Sequence, residues 1–104
     1  MRNARVDANQ KQITEALRRA GCSVQPLHTV GKGVPDLLIG YRGHNFLLEL
    51  KDGTKRPSER RLTDDQQNWH RDWRGQVMIV ESVEDALQLV HRWRDRQSVP
   101  DVRG

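Results

Sequence analysis

Three charged residues lie within or at the ends of apolar stretches of this sequence: Asp36, Glu49 and Lys51. A charged side chain in apolar surroundings costs free energy, so its presence there calls for a chemical reason. Two carboxylates can bind one hard cation such as Mg²⁺, while water and a substrate phosphate fill its remaining positions. A lysine beside them can orient or deprotonate a bound water and offset the charge that builds on the phosphate. These residues therefore predict a metal-dependent phosphodiesterase centre.

A β-hairpin would have to bring the three residues together. Residues 36–42 and 45–51 are both strand-like, and the short connection between them contains Gly43 and His44. Such a connection favours two antiparallel strands joined by a tight turn. We expect the turn to be a two-residue or a four-residue loop centred on Gly43 and His44.

Either of these loops gives the same register, with Asp36 opposite Lys51 and Leu38 opposite Glu49. All three polar side chains then emerge on one face of the hairpin. Asp36 and Glu49 become diagonal neighbours with backbones about 7 Å apart, a gap that two carboxylates can close around one cation. A three-residue loop would shift the register by one residue and separate them.

The other elements are predicted from hydrophobic periodicity and from capping signals. Helices are expected over residues 7–20, from Thr63 and from Ser82, and further strands over residues 22–27 and 76–80. The order helix, strand, strand, strand, helix, strand, helix predicts an α/β fold with a small sheet flanked by helices. Residues 1–96 should form a single domain, and residues 97–104 a flexible tail.

Composition narrows the class of partner. The 104 residues carry a formal net charge of +4, which favours nucleic acid or a membrane surface over a neutral partner. No stretch has the roughly eighteen apolar residues of a membrane span, and the N-terminus lacks the apolar core of a signal peptide. We therefore expect a soluble, cytoplasmic protein. Cys22 is the sole cysteine, and its strand-like surroundings predict a reduced, structural thiol.

Basic residues surround the predicted centre along the chain. They are Lys32, Lys55, Arg56, Arg60 and Arg61. Their placement suits the phosphates of a duplex, and a merely solvated loop is the alternative interpretation. Trp69 and Trp73 have the spacing of one helix face, which favours packing in the core over stacking on nucleic-acid bases.

A family resemblance adds to this interpretation. Pro35-Asp36 on one strand and Glu49-Leu50-Lys51 on the next resemble the signature of the PD-(D/E)XK nuclease superfamily. The segments GKGVPDLLIGYRG, FLLELKDG, RLTDDQQNWHRDWRG and SVEDAL, in this order, resemble its stand-alone VRR-NUC branch over nearly the whole chain. The resemblance implies a restriction-endonuclease-like core and Mg²⁺- or Mn²⁺-dependent cleavage of DNA, often branched DNA such as Holliday junctions. Two symmetric cuts in a four-way junction need two centres, so a homodimer is expected.

The resemblance also implies roles for residues around the three central ones. Leu50 would contribute its main-chain carbonyl to the metal, and Gln66 on the following helix would join the catalytic residues. Thr63 and Gln66 also have the spacing of a capping box, which is the alternative interpretation of Gln66. Family members tend to carry an acidic metal ligand where this chain has Gln10, and an amide is a poorer ligand than a carboxylate.

Two further hypotheses follow from these observations. The neutral Gln10 is compatible with a catalytically weakened nucleic-acid-binding module of the same fold, although Asp36, Glu49 and Lys51 are all present. An RNA-directed protein is the other alternative, because charge alone does not distinguish DNA from RNA.

Overall fold

The computed structural model describes residues 4–98 of the chain. Its elements are α1 (Ala4–Arg19), β1 (Ser23–Pro26), β2 (Leu37–Tyr41), β3 (His44–Leu50), a 3₁₀ turn (Pro57–Glu59), α2 (Asp64–Asp72), β4 (Val77–Val80) and α3 (Val83–Ser98). The predicted order of helices and strands is confirmed. The tail predicted over residues 97–104 overlaps the end of α3, and the remainder of it lies outside the described residues.

The four strands form one mixed sheet in the order β1-β2-β3-β4. The first three strands pair antiparallel, and β3 and β4 pair in parallel. Alternate residues of β2 and β3 pack with apolar residues of α1 and α3 in a single core, which confirms the predicted α/β fold. The core residues are Ile13, Leu17, Cys22, Leu37, Ile39, Tyr41, Phe46, Leu48, Val80, Ala86, Leu89, Val90 and Trp93.

The hairpin turn lies one residue earlier than predicted. Tyr41 pairs with His44, so the two loop residues are Arg42 and Gly43, with φ angles of 48° and 83°. Positive φ at both central residues is the requirement of a type I′ turn, which glycine satisfies without strain. His44 is the first residue of β3, and its ring lies 4.9 Å from that of Trp93 on α3, with the ring planes tilted by 42°.

The turn changes the register on which the site prediction depended. Leu38 pairs with Leu47, not with Glu49, and continuing the ladder by one residue places Asp36 beside Glu49, not beside Lys51. The predicted register was therefore wrong by two residues. An even shift keeps every side chain on its predicted face of the sheet, because the side-chain period of a strand is two. The site residues remain on one face for this reason.

Capping residues fix the starts of the last two helices. The hydroxyl of Thr63 accepts a hydrogen bond from Gln66 N at 3.2 Å, and the Gln66 side chain accepts one from Thr63 N at 2.9 Å. The capping box at this position is confirmed. Before α3, Asp85 N donates to the Ser82 hydroxyl at 3.1 Å, while the Asp85 carboxylate accepts from Glu81 N.

The three tryptophans have different surroundings. Trp93 is buried and stacks on Phe46 with ring planes 2° apart. Trp69 and Trp73 stack on each other at 4.7 Å, but α2 has no buried residue and Trp73 is 46% exposed. The prediction that both belong to the core was therefore wrong for Trp73. Helical spacing correctly placed the two rings on one face, but within residues 4–98 no apolar layer covers that face.

Two expectations from composition can be compared with the structure. Cys22 is buried, and burial raises the pKa of its thiol, as fits a structural residue. No helix within residues 4–98 combines the length and the apolar character that crossing a membrane requires.

Gly33 sets the distance between the loop before β2 and the first turn of α2. A Cβ at this position would lie 2.3 Å from the carbonyl oxygen of Asp65, and the residue has a φ of 82°. We expect Gly33→Ala to destabilise the protein by about 2 to 4 kcal/mol, from strain and from the steric clash together. Urea unfolding would measure the change.

Gly31→Ala is the matched control for this prediction. Gly31 also has a positive φ, of 75°, but no atom of the described residues lies within 4 Å of the position that a Cβ would take there, so only the backbone strain applies. We expect a loss of about 1 kcal/mol for this variant. Equal losses at the two glycines would show that contact with α2 is not what requires Gly33.

Candidate active site

An open cleft of about 540 Å³ lies at the carboxyl end of β3. Its walls come from α1, the start of β2, the end of β3, the segment that follows β3, and α2. The lining residues are Asn9, Gln10, Asp36, Glu49, Leu50, Lys51, Asp52, Lys55, Glu59 and Gln66. The fold thus brings together every residue that was predicted to catalyse or to bind metal.

Asp36 and Glu49 form a carboxyl pair in this cleft. Asp36 lies one residue before β2, and its Oδ2 accepts a hydrogen bond from Leu50 N at 2.7 Å. Glu49 is only 2% exposed, and its side chain hydrogen-bonds to that of Asp36. Two carboxyl groups bond in this way when a proton lies between them. A cation bound between them would contact both groups.

Burial is the main cause of the raised pKa of Glu49. It raises the pKa of Glu49 to about 8, with the hydrogen bond and the charge of Asp36 acting in the same direction. The charge of Lys51 opposes them and lowers this pKa. The balance of these effects favours the protonated form of Glu49 in the metal-free protein. A divalent cation would compete with that proton.

Gln66 connects Glu49 to Lys51. Its Oε1 accepts from Lys51 Nζ at 2.8 Å and from Thr63 N at 2.9 Å, and its Nε2 donates to Glu49 Oε2 at 3.1 Å. The two donors fix the orientation of the amide. Gln66 thus completes the capping box of α2 and also lines the cleft, so the two interpretations of this residue are compatible.

Backbone contacts hold Lys51 at the end of the sheet. Lys51 N donates to Val80 O at 3.0 Å, which extends the parallel ladder with β4 beyond the last residue of β3. On the other side, Asn9 Nδ2 of α1 donates to Lys51 O at 3.3 Å. The lysine side chain therefore starts from a fixed backbone position.

The orientation of the Leu50 peptide follows from the same ladder. Successive residues of a strand direct their amide and carbonyl groups to opposite sides. Lys51 N points toward β4 and Leu50 N points toward Asp36. The carbonyl of Leu50 therefore lies on the Asp36 side, beyond the start of β2. This is the position that a main-chain metal ligand would need.

The predicted basic residues divide into two groups. Lys55 lines the cleft, and Lys32, Arg56 and Arg61 are exposed. Arg60 instead forms an ion pair with Glu81, in which its Nη1 donates to both carboxylate oxygens, at 3.0 and 3.1 Å. Glu81 directly follows β4, so this pair ties the basic segment between β3 and α2 to the sheet.

These residues fit a hard divalent cation. Among residues 4–98, no three His, Cys, Asp or Glu side chains are arranged as a metal-binding group. Mg²⁺ is usually held by one or two carboxylates, with water and phosphate at its other positions. Asp36, Glu49 and the Leu50 carbonyl supply such a set, and Glu49 Oε1 has no hydrogen-bond partner within the described part of the chain. Gln10 lies in the same lining.

Comparison with solved structures identifies a close likeness in fold. A structure described as a VRR_NUC domain superposes with a TM-score of 0.64 and 26% sequence identity, over 85% of this chain and 96% of that one. This chain carries a VRR-NUC-type domain. The PD-(D/E)XK placement is consistent with that domain. No protein-family model matches the sequence, and curated proteins give no significant match.

Two residues at this candidate site were not predicted from the sequence. Asn9, which holds the Lys51 carbonyl, precedes Gln10 on α1 and carries no motif that would have marked it. His70 lies against Glu49, with His70 Nε2 and Glu49 Oε1 3.8 Å apart. It follows Gln66 by four residues, so helical spacing alone would place both on the same face.

Proposed function

We propose that this protein is a divalent-metal-dependent endonuclease that hydrolyses phosphodiester bonds in DNA, with branched DNA such as Holliday junctions as its substrate. The observation that carries the proposal is the carboxyl pair of Asp36 and Glu49 joined through Gln66 to Lys51 in one cleft. The likeness to a VRR_NUC domain supports the same chemistry. The proposed preference for branched DNA rests on the sequence resemblance.

Each residue has a defined task in the proposed reaction. Asp36, Glu49 and the Leu50 carbonyl would hold Mg²⁺ or Mn²⁺, which polarises the phosphate and lowers the pKa of a water when bound. The ammonium of Lys51 offsets the negative charge that develops on the phosphate and orients the attacking water. Gln66 keeps Lys51 and Glu49 at a fixed separation through its two hydrogen bonds.

The proposal includes the oligomeric state of the protein. One chain offers one centre, and resolving a four-way junction requires two cuts related by symmetry, so we propose that a homodimer is the active form. Such an enzyme would meet its DNA inside a cell.

Metal-dependent cleavage tests the function directly. Labelled four-way junctions, flaps and linear duplexes would be incubated with Mg²⁺, Mn²⁺ or a chelator. We expect cleavage only with metal, and Asp36→Asn should reduce its rate by about a hundredfold or more because a charged ligand is lost. Asp95→Asn is the matched control, because Asp95 is exposed near the end of α3. Cleavage that persists with chelator would contradict the proposal.

A second candidate function rests on Gln10. This neutral residue lines the cleft where an acidic one is expected from the resemblance, so a nucleic-acid-binding module with weakened catalysis is the alternative. Binding of junction DNA without cleavage under either metal would favour that alternative. Matched DNA and RNA junctions in the same assay would distinguish the two nucleic acids.

The salt dependence of DNA binding should separate the two groups of basic residues. Arg61 is exposed, so Arg61→Ala should reduce the slope of log affinity against log salt by about one. Arg60→Ala should leave the slope unchanged but lower the stability by about 1 kcal/mol, because Arg60 is paired with Glu81. Fluorescence anisotropy across a salt series would measure the slopes. A reduced slope for Arg60→Ala would instead make it a phosphate contact.

A further inference from the structure

His70 is a second side chain of α2 that meets Glu49. It lies one helical turn after Gln66, its side chain is 15% exposed, and its Nε2 is 3.8 Å from Glu49 Oε1. Gln66 contacts the other oxygen of the same carboxyl group, Oε2, at 3.1 Å. Two residues on one face of α2 therefore approach the two oxygens of Glu49 separately.

Both atoms of the His70 contact are buried without a hydrogen-bond partner among the described residues. A separation of 3.8 Å is too long for a hydrogen bond, whose usual range ends near 3.2 Å. A buried polar atom without a partner costs about 1 to 3 kcal/mol, so such a pair needs an explanation. One explanation is that the contact closes in a different state of Glu49.

That state is the carboxylate bound to a cation. Gln66 already donates to Oε2, whereas Oε1 has no hydrogen-bond partner among the described residues. A buried carboxylate that holds a cation gains from a donor at each oxygen. Because α2 has no fully buried residue, a shift of about 1 Å in the imidazole would not disturb the core.

We propose that His70 is a positioning residue for the metal site, which donates a hydrogen bond from Nε2 to Oε1 of the cation-bound Glu49. This inference rests on the proposed function. His70 and Gln66 would then hold the carboxylate from α2, while Asp36 and the Leu50 carbonyl complete the site from the sheet. Donors behind a ligating group commonly fix its orientation in this way.

The proposed contact requires an N–H donor at the position of His70 Nε2, which faces the unpartnered Oε1 of Glu49. An amide that carries an N–H at the same position should therefore replace the imidazole, whereas an aromatic ring without a donor should not. This difference separates a positioning role from simple packing.

Mn²⁺ binding to the full-length protein without DNA tests the proposal by calorimetry. His70→Phe keeps a ring and removes the donor, and His70→Gln keeps an N–H near the Nε2 position. We expect His70→Phe to weaken Mn²⁺ affinity by roughly tenfold to a hundredfold, and His70→Gln to recover most of it. In cleavage assays the Mg²⁺ concentration needed for half-maximal rate should rise for His70→Phe, while the KM for DNA stays unchanged.

Three outcomes would overturn the proposal. Unchanged Mn²⁺ affinity in His70→Phe would show that no hydrogen bond is needed, and equal losses in His70→Phe and His70→Gln would indicate packing alone. If His70→Phe does not fold, His70→Leu provides a smaller variant without a donor for the same comparison.

A wild-type protein that neither binds Mn²⁺ nor cleaves DNA would overturn the proposed function as well. If the wild type binds Mn²⁺ and cleaves DNA but the His70 substitutions leave the Mn²⁺ affinity unchanged, only this inference is overturned.

Discussion

Replacing Lys51 by alanine is expected to slow DNA cleavage by about a hundredfold to a thousandfold while junction binding changes little. Lys51 Nζ lies 2.8 Å from Gln66 Oε1 and lines the cleft beside the carboxyl pair. In the proposed reaction its charge acts on the phosphate as the bond is hydrolysed, so its loss should appear in kcat more than in affinity. Rates at saturating enzyme and Mg²⁺ would measure the effect.

Lys11→Ala provides the control for this measurement. Lys11 is exposed on α1, so the variant removes the same charge from the whole protein without touching the carboxyl pair. We expect both variants to bind junction DNA with similar affinity and only Lys51→Ala to lose cleavage. Equal rates for the two variants would mean that Lys51 is not part of the centre. Loss of binding by Lys51→Ala would make it a substrate contact and not a catalytic group.

The fold could be predicted from the sequence because its local signals agree. The capping residues Thr63 and Ser82 marked two helix starts, and each is observed in that role. Agreement between capping, periodicity and element order is typical of sequences that specify one fold. The turn was the exception. The preference of Gly43 for positive φ was visible in the sequence, but the tilted ring contact between His44 and Trp93 depends on α3, which is distant along the chain.

The prediction of the site depended on which face of the hairpin each side chain occupies, more than on the pairing register of β2 and β3. Asp36, Glu49 and Lys51 were placed on one face by the alternation of strand residues, and an error of two residues in pairing left this intact. A one-residue error would have placed Asp36 on the opposite face from Glu49. The partner of Asp36 could not be predicted, because it depends on where the turn lies. The ion pair of Arg60 with Glu81 could not be predicted either, because the two residues lie in segments that only the folded sheet brings together.

Glu49→Gln should stabilise the metal-free protein at alkaline pH. The folded protein raises the pKa of Glu49 from its ordinary value of 4.5 to about 8. Between these values the folded state retains a proton that the unfolded chain has released, so its stability falls as pH rises through this range and levels off above it. Glutamine has no proton to lose. We expect the variant to be more stable than wild type by on the order of a few kcal/mol at pH values above about 8, and by little near pH 4.5.

Urea unfolding at both ends of this range, with chelator present, would measure the difference between wild type and Glu49→Gln. Comparing the two proteins cancels the other titrating groups, and Glu15→Gln, at an exposed position of α1, should follow wild type at every pH.

Added Mg²⁺ should reverse the order of stability. A cation that binds only the folded state stabilises it by mass action, and this gain requires the ionised Glu49. Wild type should therefore recover stability with Mg²⁺ at alkaline pH, whereas Glu49→Gln should gain little. If the two proteins respond equally to pH and to Mg²⁺, then Glu49 neither carries the buried proton nor binds the metal. If the two proteins differ in their response to pH but gain equally from Mg²⁺, then Glu49 is the buried titrating group but is not a ligand of the cation.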